Sequence, residues 1–222
     1  MTIHPALALL AKDFRGEWRT RYAVNTLLMF IVVTLSVVVF ALAGETLTSG
    51  VQAGLLWVVL FFSAMNGMSR SFLSEEERGT TLTLRLLADP SAIYLGKLLF
   101  NLVLALLLNV FIVLLFLVFL EGFLIRQPGL FLAVILGGGA GVAAATTVIA
   151  AMIARAGSKG PLFPVLSFPV LLPLLMSGIS ATKIAMEETE WTLALPELGV
   201  LASYIAVVVA ASFFLFDFVW KD

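Results

Sequence analysis

The stretch "YAVNTLLMFIVVTLSVVVFALAG", residues 22–44, carries no charged side chain. About twenty mostly apolar residues suffice for a helix to cross the ~30 Å hydrocarbon core of a bilayer. The same stretch could also be a buried helix of a soluble protein, so the rest of the chain has to decide. Of 222 residues, 61% are hydrophobic and 12% charged, with a mean hydropathy of +1.11. A soluble domain carries about twice that charged fraction. Much of any folded surface faces its solvent, so a globule of this size cannot hide so much apolar area. Lipid is the solvent that fits.

Working outward, a charge at the bilayer centre costs at least ~2.5–3.5 kcal/mol on insertion scales. Charge-free gaps therefore mark spans. Six are long enough, at about 22–44, 46–69, 98–120, 129–153, 161–182 and 198–216. The alternating polarity of a membrane barrel is absent, which leaves helices. The expectation is an all-α integral membrane protein, one domain over 1–222, with an interfacial helix at 5–21 and a polar loop at 70–97.

Lysine and arginine set the orientation. Lys12, Arg15, Arg19, Arg21, Arg70, Arg78, Arg85, Lys97, Arg155, Lys159 and Lys221 fall on one side, and only Arg126 and Lys183 on the other. Both termini and the 70–97 loop are thus expected in the cytoplasm. Glu45, Glu121, Glu187, Glu188 and Glu190 face outside. The first apolar span follows about twenty residues that include four basic ones, so it reads as a retained helix and not as a cleaved signal.

Before that span, Leu7, Leu10, Phe14 and Trp18 recur at helical spacing, with Lys12, Arg15 and Arg19 toward the other face. This is an interfacial amphipathic pattern. It fits a general surface anchor and equally a cytoplasmic elbow framing a subunit interface.

The loop reads "SFLSEEERGTTLTLRLLADPSAIYLGK", residues 71–97. Ser74 and Glu77 have capping-box spacing. Gly79 breaks or bends that helix. Thr80 or Thr81 caps a second segment, in which a short helix with Leu82 and Leu86 on one face is more economical than a lone strand. Asp89-Pro90 stops it, and Ser91 is placed to cap the next helix. Leucines on a polar loop either fold back onto the membrane surface or fill a partner's groove.

An acidic cluster, "RGT", a leucine-rich helix, a proline and "YLGK" resemble the coupling loop of ABC-2-type exporter permeases. The matching positions are Glu75, Glu76, Glu77, Arg78, Gly79, Thr80, Leu82, Leu86, Pro90 and Lys97. In that family the loop docks on a nucleotide-binding subunit.

Two further stretches extend the resemblance. In the fourth span Gly137, Gly141 and Ala145 place small residues at every fourth position, a helix-packing pattern. The fifth follows a basic glycine-containing turn and carries Pro169 and Pro173 inside it. Each proline removes a backbone hydrogen bond, which fits ordinary kinked packing or a deformable helix beside a pathway. The order along essentially the whole chain resembles the haem exporter protein B family, the CcmB-type permeases of cytochrome c maturation. Thr83 stands where that family often has an acidic residue.

The chain contains no G-x-x-x-x-G-K-[ST] phosphate loop, no carboxylate within the six gaps and no Ser-His-Asp set. It has no cysteine and a single histidine, His4, so no thiolate or multi-histidine metal site is expected. A non-catalytic subunit moved by another chain is what remains.

The resemblance implies the rest. A CcmA-type cytoplasmic ATPase would bind the ATP, with no cofactor held by this chain. Haem would be the cargo of the complex. CcmC-type and small CcmD-type membrane subunits and a periplasmic haem chaperone would be partners. The location would be the bacterial inner membrane, and two copies would sit in the complex. No nucleic acid is expected. A general ABC-2 exporter of a drug, lipid or glycan, and a non-transporting scaffold, are the competing readings.

Overall fold

The computed structural model describes residues 3–42, 44–69, 72, 75, 79–80, 83–84, 86, 88–155 and 162–221. Helix α1, Ile3–Thr20, is the amphipathic segment, and α2, Tyr22–Leu42, is the first apolar span. Between them Arg21 has φ 49°. A left-handed non-glycine residue is uncommon, and here three bonds hold it. Arg21 N donates to Glu17 O at 2.7 Å and Asn25 N to Arg21 O at 3.0 Å. The Glu17 side chain turns back to accept from Val24 N at 3.0 Å, satisfying a donor in the first turn of α2.

The remaining helices are α3 (Ser49–Met68), α4 (Pro90–Phe119), α5 (Pro128–Arg155), α6 (Leu162–Glu187) and α7 (Leu195–Lys221), the last entered through a 3₁₀ turn at Trp191–Ala194. Among the described residues six helices are long and apolar enough to cross a membrane. No strand occurs among the described residues. Helix α4 opens at Pro90, close to the expected start, and carries Lys97, paired within the protein, ahead of the expected 98–120 span. Two boundaries differ from expectation. The N-cap position of α4 is Asp89, with Pro90 at the first helical position, not Ser91; proline's missing N–H costs nothing there. Helix α6 continues to Glu187, beyond the expected 182.

The spans are buried unequally. The most apolar windows of α3 and α5 are 67% and 72% buried, against 11–28% for the other four. Helices α3 and α5 therefore form the centre, and the others present apolar faces outward, as lipid permits. The key to the centre is Trp57 of α3, whose Nε1 donates to Thr182 Oγ1 of α6 at 2.9 Å. Its ring lies where a Cβ on Gly138 of α5 or on Gly178 of α6 would collide with it. Gly141 is closed in the same way by Leu174. At Gly137 an added Cβ meets nothing within 4 Å. The closely approached glycines of α5 are thus 138, 139 and 141, so the 137/141 stripe holds at Gly141 and not at Gly137. The stripe was read from spacing alone, while the contact is set by where Trp57 lies.

Polar side chains fasten helix pairs inside the bundle. Asn101 Nδ2 donates to Thr147 Oγ1 at 2.9 Å, and Asn109 Nδ2 to Ile135 O at 3.1 Å, both joining α4 to α5. In lipid such bonds are worth ~0.6–2 kcal/mol each.

Candidate functional site

The loop between α3 and α4 is not a free tail. Gly79 has φ +66°, a conformation natural to glycine. Thr80 N donates across it to Glu75 O at 3.0 Å. That six-to-one bond over a left-handed glycine is the Schellman way of ending a helix. After it, Leu84 N donates to Thr80 O and Ala88 N to Leu84 O, both helical spacings. Among the described residues the second segment is therefore helical. Phe72 and Leu84 are buried, and Phe72 packs on Phe216 near the end of α7 at 5.8 Å between centroids. Leu86 points the other way and is 87% exposed.

Glu75 sits beneath this loop in a cluster of charges from three segments. Lys97, in the second turn of α4, is 1% exposed. Its Nζ lies 2.9 Å from Asp13 Oδ2 of α1 and 3.0 Å from Glu75 Oε1 of the loop. Lys12 Nζ reaches the same Glu75 oxygen at 2.6 Å, and Thr80 Oγ1 donates to Glu75 Oε2 at 2.6 Å. Two ammonium groups and two carboxylates leave the cluster neutral. A buried ammonium is tolerable only when paired in this way. Burial by itself would raise the Glu75 pKa, but the Lys97 charge and the hydrogen bonds from Lys12, Thr80 and Lys97 outweigh it and bring the pKa down to about 2. Glu75 therefore stays ionised at any ordinary pH.

Close packing holds α1 in register with the cluster. A Cβ on Gly96, next to Lys97, would come within 2.8 Å of Leu9 Cβ and 3.0 Å of Ala6 O. Ala6 and Leu9 thus form the inward face of α1, while Leu7, Phe14 and Trp18 are exposed. The outward set is the amphipathic stripe read from spacing.

Of the loop positions singled out by sequence, Glu75 and Thr80 are engaged within the chain, Gly79 makes the bend and Leu86 faces out. Glu76, Glu77, Arg78 and Leu82 lie outside the described residues. Pro169 and Pro173 stay within a continuous α6 and face outward. Asp13 escaped the sequence reading. One signal was available: Lys97 has Ile93 and Asn101 at its helical neighbours, so an acid to balance it had to come from elsewhere. Among the described residues no group of histidine, cysteine or acidic side chains has the arrangement of a metal site.

Six membrane-crossing helices, an interfacial helix and a loop clamped to it by a buried charge cluster define a multi-pass membrane protein of the permease kind. The family model of the CcmB protein matches residues 4–217, and the chain belongs to the CcmB family. No curated protein matches it. Family membership makes this chain a membrane permease subunit of the haem exporter of cytochrome c maturation, working in a complex with Ccm ABC components.

Proposed function

We propose that this subunit is the lever of its exporter. A CcmA-type ATPase in the cytoplasm docks on the 74–87 loop. Its stroke passes through Glu75, Lys97 and Asp13 into α4 and α1. The complex then serves haem delivery and release of the haem-loaded periplasmic chaperone, with CcmC-type and CcmD-type subunits handling haem beside it. Both termini lie in the cytoplasm of a cell whose inner membrane holds the complex, and two copies of this chain act together.

The observation that carries this reading is the fully buried Lys97, shared between a loop carboxylate and an α1 carboxylate. A loop bonded to two helices cannot be pushed without moving them. Leu86, exposed on the loop's outer side, is the available apolar anchor, and such an anchor buried at an interface is worth ~2 kcal/mol or more. The test is Leu82→Ala with Leu86→Ala. The variant should insert normally, yet lose most of the co-purified ATPase and most holocytochrome c. Wild-type recovery of both would remove the loop from the mechanism. Single cysteines at Glu45, Glu121 and Glu188, all exposed at the opposite end, should react with an impermeant thiol reagent from outside sealed cells.

A further inference from the structure

A groove of about 360 Å³ opens where α1, α2 and α4 meet. Its walls are Phe14, Phe100, Leu104 and Leu107, and its rim carries Arg21 and Asn25. Positions 100, 104 and 107 follow one face of α4 over about 10 Å of axis. They run from the level of the interfacial helix toward the middle of the span. That is the path an acyl chain takes away from its head group. At the mouth, Arg21 lies 5.6 Å from the centroid of the Trp18 ring, and Trp18 is 72% exposed. An arginine and a tryptophan side by side at a helix end are the usual furniture of the membrane–water interface.

The charge at the mouth points to the ligand's sign. Arg21 is exposed at the groove, and among the described residues it has no carboxylate within ion-pair distance. Lys12, by contrast, is committed to Glu75. Glu17 also lines the groove, but its Oε1 accepts from Val24 N. Arg21 itself is held at φ 49° by backbone bonds on both sides. A sparsely populated conformation kept in place by its surroundings is a recognised companion of ligand sites, and here it fixes the arginine at the mouth.

We propose that this groove binds one anionic phospholipid. Its phosphate meets Arg21 and the Asn25 amide, and one acyl chain lies along Phe100, Leu104 and Leu107. The site is separate from the charge cluster and does not depend on the lever reading.

The probe is a vesicle of phosphatidylglycerol and phosphatidylcholine in equal parts. The protein is reconstituted, extracted in mild detergent, and its retained lipids are counted by native mass spectrometry. The wild type should keep about one phosphatidylglycerol per chain in preference to phosphatidylcholine. Arg21→Gln should lower that preference about fivefold, the factor associated with one basic residue at a membrane surface. Arg21→Gly accepts φ 49° without strain and should show the same loss, which guards against a misfolded glutamine variant. Leu104→Trp, which fills the groove, should lower retention of both lipids. Equal retention of the two lipids by the wild type overturns the proposal, as does an unchanged preference in both Arg21 variants. So does a Leu104→Trp variant that loses a dimer and no lipid, since a second copy would then occupy the groove.

Discussion

The two ends of the bundle are joined by different means. At the end that carries α1 and the 72–88 loop, the joint is made of charged side chains from three separate segments meeting at Lys97. At the other end it is made of hydrogen bonds, most of them to backbone carbonyls. Arg126 N and Gln127 N both donate to Ala185 O, at 3.1 and 3.0 Å. Gln127 Nε2 donates to Glu188 O at 2.9 Å, and Gln52 Nε2 to Glu121 O at 3.2 Å. Ser180 Oγ donates to Glu197 Oε1 at 3.0 Å across α6 and α7. Backbone bonds between helix ends fix a geometry through many small terms. A single buried lysine shared by two carboxylates concentrates the energy at one point, so a force applied to the loop is felt in α1 and α4 together. Under the lever proposal the first is the moving end and the second the static end.

The comparison breaks most visibly at Lys97. Lys97→Met leaves Asp13 without its cation and Glu75 with Lys12 alone, and removing one partner of a buried pair typically costs ~3–5 kcal/mol. Thermal unfolding of the purified protein in detergent should show that loss. Lys97→Met combined with Asp13→Leu should be less destabilised than Lys97→Met alone, because the stranded carboxylate is gone. At the other end Gln52→Ala should cost only ~1 kcal/mol, the net worth of an ordinary hydrogen bond, and should leave holocytochrome c unchanged. Equal costs at the two ends would erase the distinction drawn here.

Acid sharpens the same contrast with a smaller effect. Glu75 has a folded pKa of about 2 against an ordinary 4.5. A carboxylate with a depressed folded value contributes its full stability above the ordinary value, and that contribution is lost as pH falls toward 2. The link between loop and α1, followed as a spin-label distance from the exposed Thr83 to Lys12-adjacent Ala11, should hold from pH 8 to about 5 and loosen between about 4.5 and 2. Opening near neutral pH would mean that Glu75 is not held ionised by Lys97.

Much of this architecture was legible in the sequence because lipid imposes one rule, that charges avoid the middle. Charge-free gaps gave all six spans, and the exceptions are instructive. Helix α4 carries Lys97 ahead of the charge-free gap because that lysine is paired, to Glu75 22 positions earlier and to Asp13 on another helix, which no local period encodes. The glycine stripe holds at Gly141 and fails at Gly137 for the same kind of reason. Small residues at every fourth position mark a helix that can pack closely, but Trp57 on another helix decides whether 137 or 138 is the one approached. Gly79 was readable as a break from its type alone, since its positive φ is what glycine supplies. Leu86 and Leu84 differ by two places and face opposite ways, buried against exposed, as the helical reading of that segment requires.

The most direct test of the lever is Asp13→Leu. Asp13 lies on α1 and meets the loop only through Lys97, and its loss leaves the Glu75–Lys97 pair and Leu86 in place. The measurement is the amount of ATPase co-purified with the variant, beside holocytochrome c made by the same cells at matched expression. The account predicts wild-type recovery of the ATPase with holocytochrome c reduced about fivefold or more, the lower range of a typical coupling energy between sites. ATPase bound and cytochrome c matured at wild-type levels would contradict it, because the stroke would then reach the membrane without passing through Asp13.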